Sequence, residues 1–209
     1  MKLPHNISRV EAFSDAVFAF AATLLVVSFG TGEDFSVIQV QTTSFITFGV
    51  SFFVLVGLWS VHYNFFRRTN YMDNWIIALN AVLLFVVLYY VFPLKSLLDT
   101  WTGGMGLSFE DFSSLFQLYS LGFLLIFLCV SLMYLRAYKK TKSMKNALQL
   151  LFYTRHFAIY VGVALLSICL AKLKIGLQFA LPGLIYALLG PLCYWHGITF
   201  EKYHNSKIQ

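Results

Sequence analysis

The chain has 209 residues, of which 59% are hydrophobic and only 11% carry a charge. A soluble domain carries roughly 25% charged residues to keep its surface hydrated, so this composition excludes an ordinary soluble protein. The 22 Phe and 12 Tyr residues point the same way, because aromatic side chains suit lipid contact and the membrane interface. The composition therefore predicts an integral membrane protein.

Apolar runs of near span length divide the chain, and about 20 apolar residues are enough to cross the hydrocarbon core. We predict an all-α membrane bundle of six transmembrane helices, forming a single domain over residues 1–209. The third run reaches Pro93, which marks a helix end or a kink. The gap between the last two runs, Lys172-Leu173-Lys174, is short and predicts a tight helical hairpin. The predicted spans are about 10–29, 44–66, 75–92, 112–134, 157–171 and 177–195.

Basic residues are spread unevenly among the connections between the spans. With the N-terminus in the cytoplasm, twelve of the fifteen Lys and Arg residues lie on the cytoplasmic side, and only Lys95, Lys172 and Lys174 lie outside. Cytoplasmic loops are enriched in Lys and Arg. The pattern predicts a multi-pass membrane protein with both termini cytoplasmic. It also accounts for the net charge of +6 without a nucleic-acid partner.

The first span carries two features, a strip of small residues and an acidic residue. Ala12, Ala16, Ala19 and Thr23 recur on one face of the helix. Such a strip lets helices approach closely or leaves room beside an axis, and ordinary helix packing is its commoner explanation. Asp15 is the one acidic residue well within an apolar run.

Polar side chains of the next two spans are expected at the depth of Asp15. His62 lies near the end of the second span and Asn80 near the start of the third. Ionisable groups inside a span are costly unless paired, so we predict a hydrogen-bond network among these three residues. The alternatives are separate helix-end residues or a proton relay, for which the sequence lacks a chain of acids across the membrane. The cysteines lack a metal-binding spacing, and we expect no cofactor and no tightly bound metal.

The first span opens with Arg9-x-x-x-Phe13-Ser14-Asp15. This motif resembles the RxxxFSD signature of the bacterial homologues of the endolysosomal potassium channel, a family without the TVGYG filter. The resemblance extends to the layout of the six spans along the whole chain, although its specific motifs lie in the first half. It implies that the signature residues are structural and bond the first span to the second and third. These residues are Arg9, Phe13, Ser14, Asp15, Trp59, His62 and Asn80.

The same resemblance implies a homotetramer in which four copies of the first span line a central pore. The family's constriction falls on Phe20, a hydroxyl layer implicated in selectivity falls on Thr23, and further apolar rings fall on Leu24 and Val27. The family usually has Ile or Leu at the constriction, so four Phe rings would occlude the pore more tightly or rotate aside as a gate. The resemblance implies a potassium-preferring cation channel in a prokaryotic plasma membrane, in contact with membrane lipid and with K⁺ held transiently near Thr23.

A secondary transporter and a membrane enzyme are the alternatives to a channel. A secondary transporter often has helices broken by Gly or Pro, for which Pro182 and Pro191 in the sixth span are the support. A membrane enzyme would need His, Asp or Cys residues clustered at one membrane face. His62, His156 and His196 share the cytoplasmic side without HxxxH or HExxH spacing, so we expect no enzyme.

Overall fold

A computed structural model describes residues 7–29, 42–69, 71–101, 106–141 and 146–205 of the chain. Five of its helices are long and apolar enough to cross a membrane. The described ranges contain no strand, so the prediction of an all-α membrane bundle is confirmed. The five long helices are α1 (Ile7–Phe29), α2 (Thr42–Arg68), α3 (Asn74–Trp101), α4 (Phe109–Lys140) and α5 (Ala147–Lys172).

The region predicted as the sixth span, 177–195, is not one continuous helix. A 3₁₀ turn at Leu177–Phe179 leads to α6 (Leu181–Leu184), a second 3₁₀ turn (Ile185–Leu188) and α7 (Leu189–Asn205). Ala180 takes a left-handed conformation with φ 51°, and Pro182 in the first turn of α6 has no N–H to donate. These two residues break the helix into short pieces. We call residues 177–205 the sixth segment.

The third helix continues beyond its predicted end near residue 92. α3 contains Pro93 and runs on to Trp101. A proline inside a helix removes one backbone hydrogen bond, but Val91 and Leu94 on either side of it are buried. Their packing keeps the helix intact, since most helical stability in proteins comes from tertiary contacts of an apolar face.

The fourth and fifth helices are also longer than predicted. α4 covers 109–140 where a span of about 112–134 was predicted, and its last turn holds Lys139 and Lys140. Basic side chains suit the negative end of a helix dipole, which favours this extension. α5 begins at Ala147 instead of near residue 157. His156 therefore lies well inside α5 and not at its start.

Aromatic rings and one close helix crossing form the centre of the bundle. Phe65 of α2 meets Tyr134 of α4 edge to face, with ring centroids 4.9 Å apart, and both side chains are almost fully buried. Gly122 of α4 faces Tyr90 of α3 so closely that an added Cβ would lie 2.6 Å from the Cδ2 atom of the tyrosine. A residue without a side chain is what lets α3 and α4 approach here.

Candidate functional site

A chain of hydrogen bonds connects the first three helices near the start of α1. Asn80 of α3 donates from Nδ2 to Oγ of Ser14, 3.0 Å away, and its Oδ1 pairs with Nε2 of His62 on α2 at 2.8 Å. The Ser14 hydroxyl in turn donates to the Val10 carbonyl at 2.8 Å. Ser14, His62 and Asn80 are all buried. The structure thus pairs His62 directly with Asn80 and connects both to α1 through the bond from Asn80 to Ser14, a residue of the signature motif.

Asp15 makes a separate connection between α1 and α2. The Nε1 atom of Trp59 donates to Oδ1 of Asp15 at 2.8 Å, and the Trp59 ring stacks on Tyr63 with centroids 5.6 Å apart. An indole can only donate and an ionised carboxylate can only accept, so the pair is matched in chemistry. The polar layer therefore consists of two arms, one through Ser14 and one through Asp15.

The remaining signature residues point away from the core of the chain. Phe13 is 63% exposed, and Arg9 is exposed near the start of α1. The signature motif therefore has two kinds of surroundings: Ser14 faces the other helices of the bundle, whereas Phe13 and Arg9 lie on its outer surface.

The residues assigned to the pore lie along one exposed stripe of α1. Phe20 and Val27 are 55% and 56% exposed, Thr23 is exposed and Leu24 is half-buried between them. They recur at the i, i+3, i+4, i+7 spacing of a single helix face. The face opposite packs into the bundle through the buried side chains of Phe18, Ala21 and Leu25.

Thr23 has a hydroxyl with a defined orientation. Its Oγ1 donates to the Ala19 carbonyl one turn earlier, at 3.1 Å. A hydroxyl has one proton and two acceptor lone pairs, so this bond uses the proton and leaves oxygen lone pairs on the exposed side of α1. The group can therefore act as a ligand for a cation.

Asp73 is a further polar centre, which was not predicted from the sequence. It precedes α3 and accepts from the backbone N–H of Ile76 at 3.0 Å, from Tyr71 Oη at 2.9 Å and from Arg136 Nη2 of α4 at 2.7 Å. Burial raises the pKa of the Asp73 carboxyl, but these hydrogen bonds outweigh burial and hold the pKa below its ordinary value. The sequence signal is an Asp directly before an apolar helix, a typical N-cap; nothing local in the sequence identifies Arg136 as its partner.

Comparison with known proteins bears on what these sites do. The profile of the family described as the endosomal/lysosomal potassium channel TMEM175 matches residues 9–90, which include the signature motif, Trp59, His62 and Asn80. A potassium channel of Marivirga tractuosa is 35% identical over 219 aligned positions, which cover 93% of this chain and 88% of the relative. The chain belongs to the TMEM175 family. The resemblance drawn from the RxxxFSD motif is confirmed.

Other members agree with this assignment. A potassium channel of Streptomyces collinus is 34% identical over 97 residues, 44% of this chain and 47% of the relative. The crystal structure of a MtTMEM175 potassium-channel variant bound to a nanobody–MBP fusion superposes with a TM-score of 0.76 at 29% identity, covering 96% of this chain and 95% of that one. A TMEM175 homologue from Chamaesiphon minutus, 20% identical with a TM-score of 0.60, shares the fold over 93% of this chain and 97% of that one. This TMEM175-family chain is a multi-pass membrane protein.

Proposed function

We propose that this TMEM175-family protein is a potassium-preferring cation channel, a homotetramer with a central pore lined by four copies of α1. The observation that carries the proposal is the exposed stripe of Phe20, Thr23 and Val27, which lies opposite the face that α1 buries in its own bundle. Ala16 and Ala19 beside the stripe are small, and small side chains permit copies of a helix to approach one another. The choice of K⁺ as the permeant ion is inferred from the relatives that are named as potassium channels.

Phe20 forms the hydrophobic constriction in this proposal. Four Phe20 rings around the axis would narrow the pore and exclude water, and hydrophobic constrictions of channels gate by dewetting. Leu24 and Val27 would form further apolar rings along the same stripe. The pore would open when the Phe20 rings move apart or rotate, so Phe20 controls how much current flows.

Thr23 supplies the weak coordination that favours K⁺. It lies three residues beyond Phe20, about 4.5 Å along the helix axis. Its side chain is exposed, and its hydroxyl proton is used in the bond to Ala19, which leaves the oxygen lone pairs available. The chain has no TVGYG segment to form rings of backbone carbonyls. Four hydroxyls are a weak replacement for a hydration shell, so K⁺ binds transiently and its preference over Na⁺ is modest.

The polar layer holds α1 in register with α2 and α3. Its support is that each connection joins α1 to a different helix: Asn80 of α3 reaches Ser14, and Trp59 of α2 reaches Asp15. We assign Arg9 and Phe13 a structural role as well. Because both are exposed in the single subunit, they would act at the boundary with neighbouring subunits.

Both termini are placed in the cytoplasm in this proposal. The support is the uneven distribution of Lys and Arg and the rule that cytoplasmic loops are rich in these residues. Arg67, Arg68, Lys139 and Lys140 are at helix ends on the proposed cytoplasmic side. Further charges of the pattern, Lys2, Lys142, Lys145 and Lys207, lie outside the described residues.

Reversal potentials in planar bilayers test the channel and its pore-lining helix together. With K⁺ on one side and Na⁺ on the other, the wild-type current should reverse on the K⁺-preferring side. Phe20→Ala should raise the current several-fold because it removes the constriction. Thr23→Ala should lower the K⁺/Na⁺ permeability ratio about two- to fivefold, the effect of losing a weak hydrogen-bond-like contact of about 0.5–1 kcal/mol.

Matched controls keep this experiment specific. Phe85→Ala removes a ring that is 72% exposed on α3, and Thr199→Ala removes a hydroxyl that donates to the carbonyl four residues earlier, as Thr23 does. Neither control should change the current or the reversal potential. Unchanged conductance in folded Phe20→Ala protein would remove Phe20 from the pore. The mass of the intact complex in detergent tests the tetramer.

A secondary transporter is the second candidate, and one observation favours it. Transporters build substrate sites from discontinuous helices, and the sixth segment is discontinuous at Ala180 and Pro182. Unitary currents support the channel, whereas slow saturable flux without unitary events supports the transporter.

A further inference from the structure

An apolar cavity of about 350 Å³ lies away from α1, between α2, the end of α3, the start of α4 and the sixth segment. Val54, Leu97 and Phe116 are among its walls. At its rim, Trp101 and Phe179 are 81% and 70% exposed. The volume falls in the range of about 300–1,000 Å³ that is usual for small-ligand pockets.

The interrupted backbone of the sixth segment forms one wall of this cavity. Ala180 lines it in a left-handed conformation, which costs an L-residue such as alanine about 1–2 kcal/mol. The Pro182 carbonyl beside it accepts from Ser167 Oγ of α5 at 2.7 Å, so the break is held in place. Backbone that is not helical at membrane depth occurs where it is buried in protein or lines a cavity, and backbone strain is often found at ligand sites.

We propose that this cavity binds an acyl chain of a membrane lipid. Three of its walls are membrane-spanning helices, and the exposed Trp101 and Phe179 place its open rim on the outer surface of the subunit. None of the described residues that line it is charged, and the polar side chains among them are Trp101, Tyr119 and Tyr186. Such a lining suits hydrocarbon and does not suit an ion. Trp101 at the rim is a residue typical of the membrane interface, where the lipid headgroup would remain.

The bound chain is held by close packing, because hydrocarbon gains no hydrophobic free energy on moving from lipid to protein. A side chain that fills the cavity should therefore displace it. Val54→Phe adds a ring from the α2 wall. Val82→Phe is the matched control, since Val82 is 50% exposed on α3 and is not part of the cavity lining.

Photolabelling of the full-length protein tests the proposal. The protein is reconstituted in phosphatidylcholine vesicles containing a phosphatidylcholine with a diazirine on its acyl chain, irradiated, and mapped by mass spectrometry. Adducts should concentrate on the peptides that contain Trp101 and Phe179. Val54→Phe should lower this labelling about tenfold, as expected for a site overpacked to the usual extent, and Val82→Phe should leave it unchanged.

Two outcomes overturn the proposal. The first is equal labelling of wild-type and folded Val54→Phe protein, with Leu98→Trp as a second filling variant should the first not fold. The second is crosslinking of the rim residues to another copy of the chain, which would identify protein as the occupant. Labelling does not depend on ion conduction, so this result and the test of the channel can fail independently.

Discussion

Asn80 is a single side chain on which contacts of three helices depend. It is 3% exposed and pairs with Ser14 on one side and His62 on the other. Leaving a buried polar group without its partner lowers the free energy of unfolding by about 1–3 kcal/mol. Hydrogen bonds between membrane helices contribute less on average, about 0.6 kcal/mol each. The contact of α1 with α3 at this depth therefore depends on the Asn80 amide, beside the separate bond from Trp59 to Asp15.

Asn80→Leu should therefore destabilise the protein by about 1–3 kcal/mol, since it removes both bonds while keeping the branched shape of the side chain. The measurement is the midpoint of thermal unfolding in detergent. Asn74→Leu, at an exposed position of the same helix, is the control and should shift the midpoint little. Equal shifts in the two variants would show that the bonds of Asn80 do not stabilise the fold.

Asp73 gives the protein a contribution to stability that depends on pH. The pKa of its carboxyl is held below the ordinary value, since the hydrogen bonds from Ile76, Arg136 and Tyr71 outweigh the burial that raises it. The unfolded chain therefore takes up the proton first as pH falls. The contribution is present above the unfolded pKa of about 3.9 and is lost as pH falls through the lower folded pKa.

Asp73→Asn should lower stability by about 1–2 kcal/mol at neutral pH, because the ion pair with Arg136 is only partly buried. The difference from wild type should shrink as pH falls below about 4. Unfolding midpoints measured from pH 7 to pH 3 test this, with Glu201→Gln at an exposed site as the control. A difference that stays constant over that range would contradict the assignment.

At the scale of helices, glycine decides how closely α3 and α4 pack. An added Cβ at Gly122 would meet the Tyr90 ring at 2.6 Å, whereas one at Gly162 of α5 would have no atom within 4 Å. Both glycines lie inside helices, so replacement by alanine changes helix propensity in the same way at both sites. A difference between the two variants therefore reports the steric contact at Gly122.

Gly122→Ala should destabilise the protein by about 1–3 kcal/mol through overpacking against the buried Tyr90. Gly162→Ala should be neutral or stabilising by up to about 1 kcal/mol, because alanine is the better helix former. Unfolding midpoints of the two variants under identical conditions provide the measurement. A stable Gly122→Ala protein would mean that Tyr90 moves aside at little cost.

Local sequence signals predict only some of the helix breaks. Pro93 and Pro191 both suggest breaks. α3 continues through Pro93 because Val91, Leu94 and Pro93 itself are buried. Pro191 lies in the first turn of α7, where helix N–H groups lack intrahelical partners anyway. The break that does occur lies at Pro182, which the sequence signals, and at Ala180, which has no turn preference. Its conformation follows from tertiary contacts that hydropathy does not record.

For the whole molecule, the sequence predicted the membrane class, the helix count up to the broken sixth segment and the family. A network of Asp15, His62 and Asn80 was predicted because all three are polar residues in apolar runs. In the structure His62 and Asn80 pair directly, whereas Asp15 accepts from Trp59. Asp73 and Arg136 pair across 63 positions of sequence. Such a pair follows from how α3 and α4 pack, and no local pattern reveals it. The tetramer and the roles of Phe20 and Thr23 remain predictions from the family.

The attachment of α1 has a mechanical consequence. Directional polar bonds fasten it at Ser14 and Asp15, whereas Phe18, Ala21 and Leu25 hold its later part by apolar packing, which has no preferred direction. The helix therefore resembles a lever with its pivot at the polar layer. With a rise of 1.5 Å per residue, Phe20 lies about 8 Å from the pivot and Val27 about 18 Å, so any tilt of α1 moves Val27 more than twice as far as Phe20.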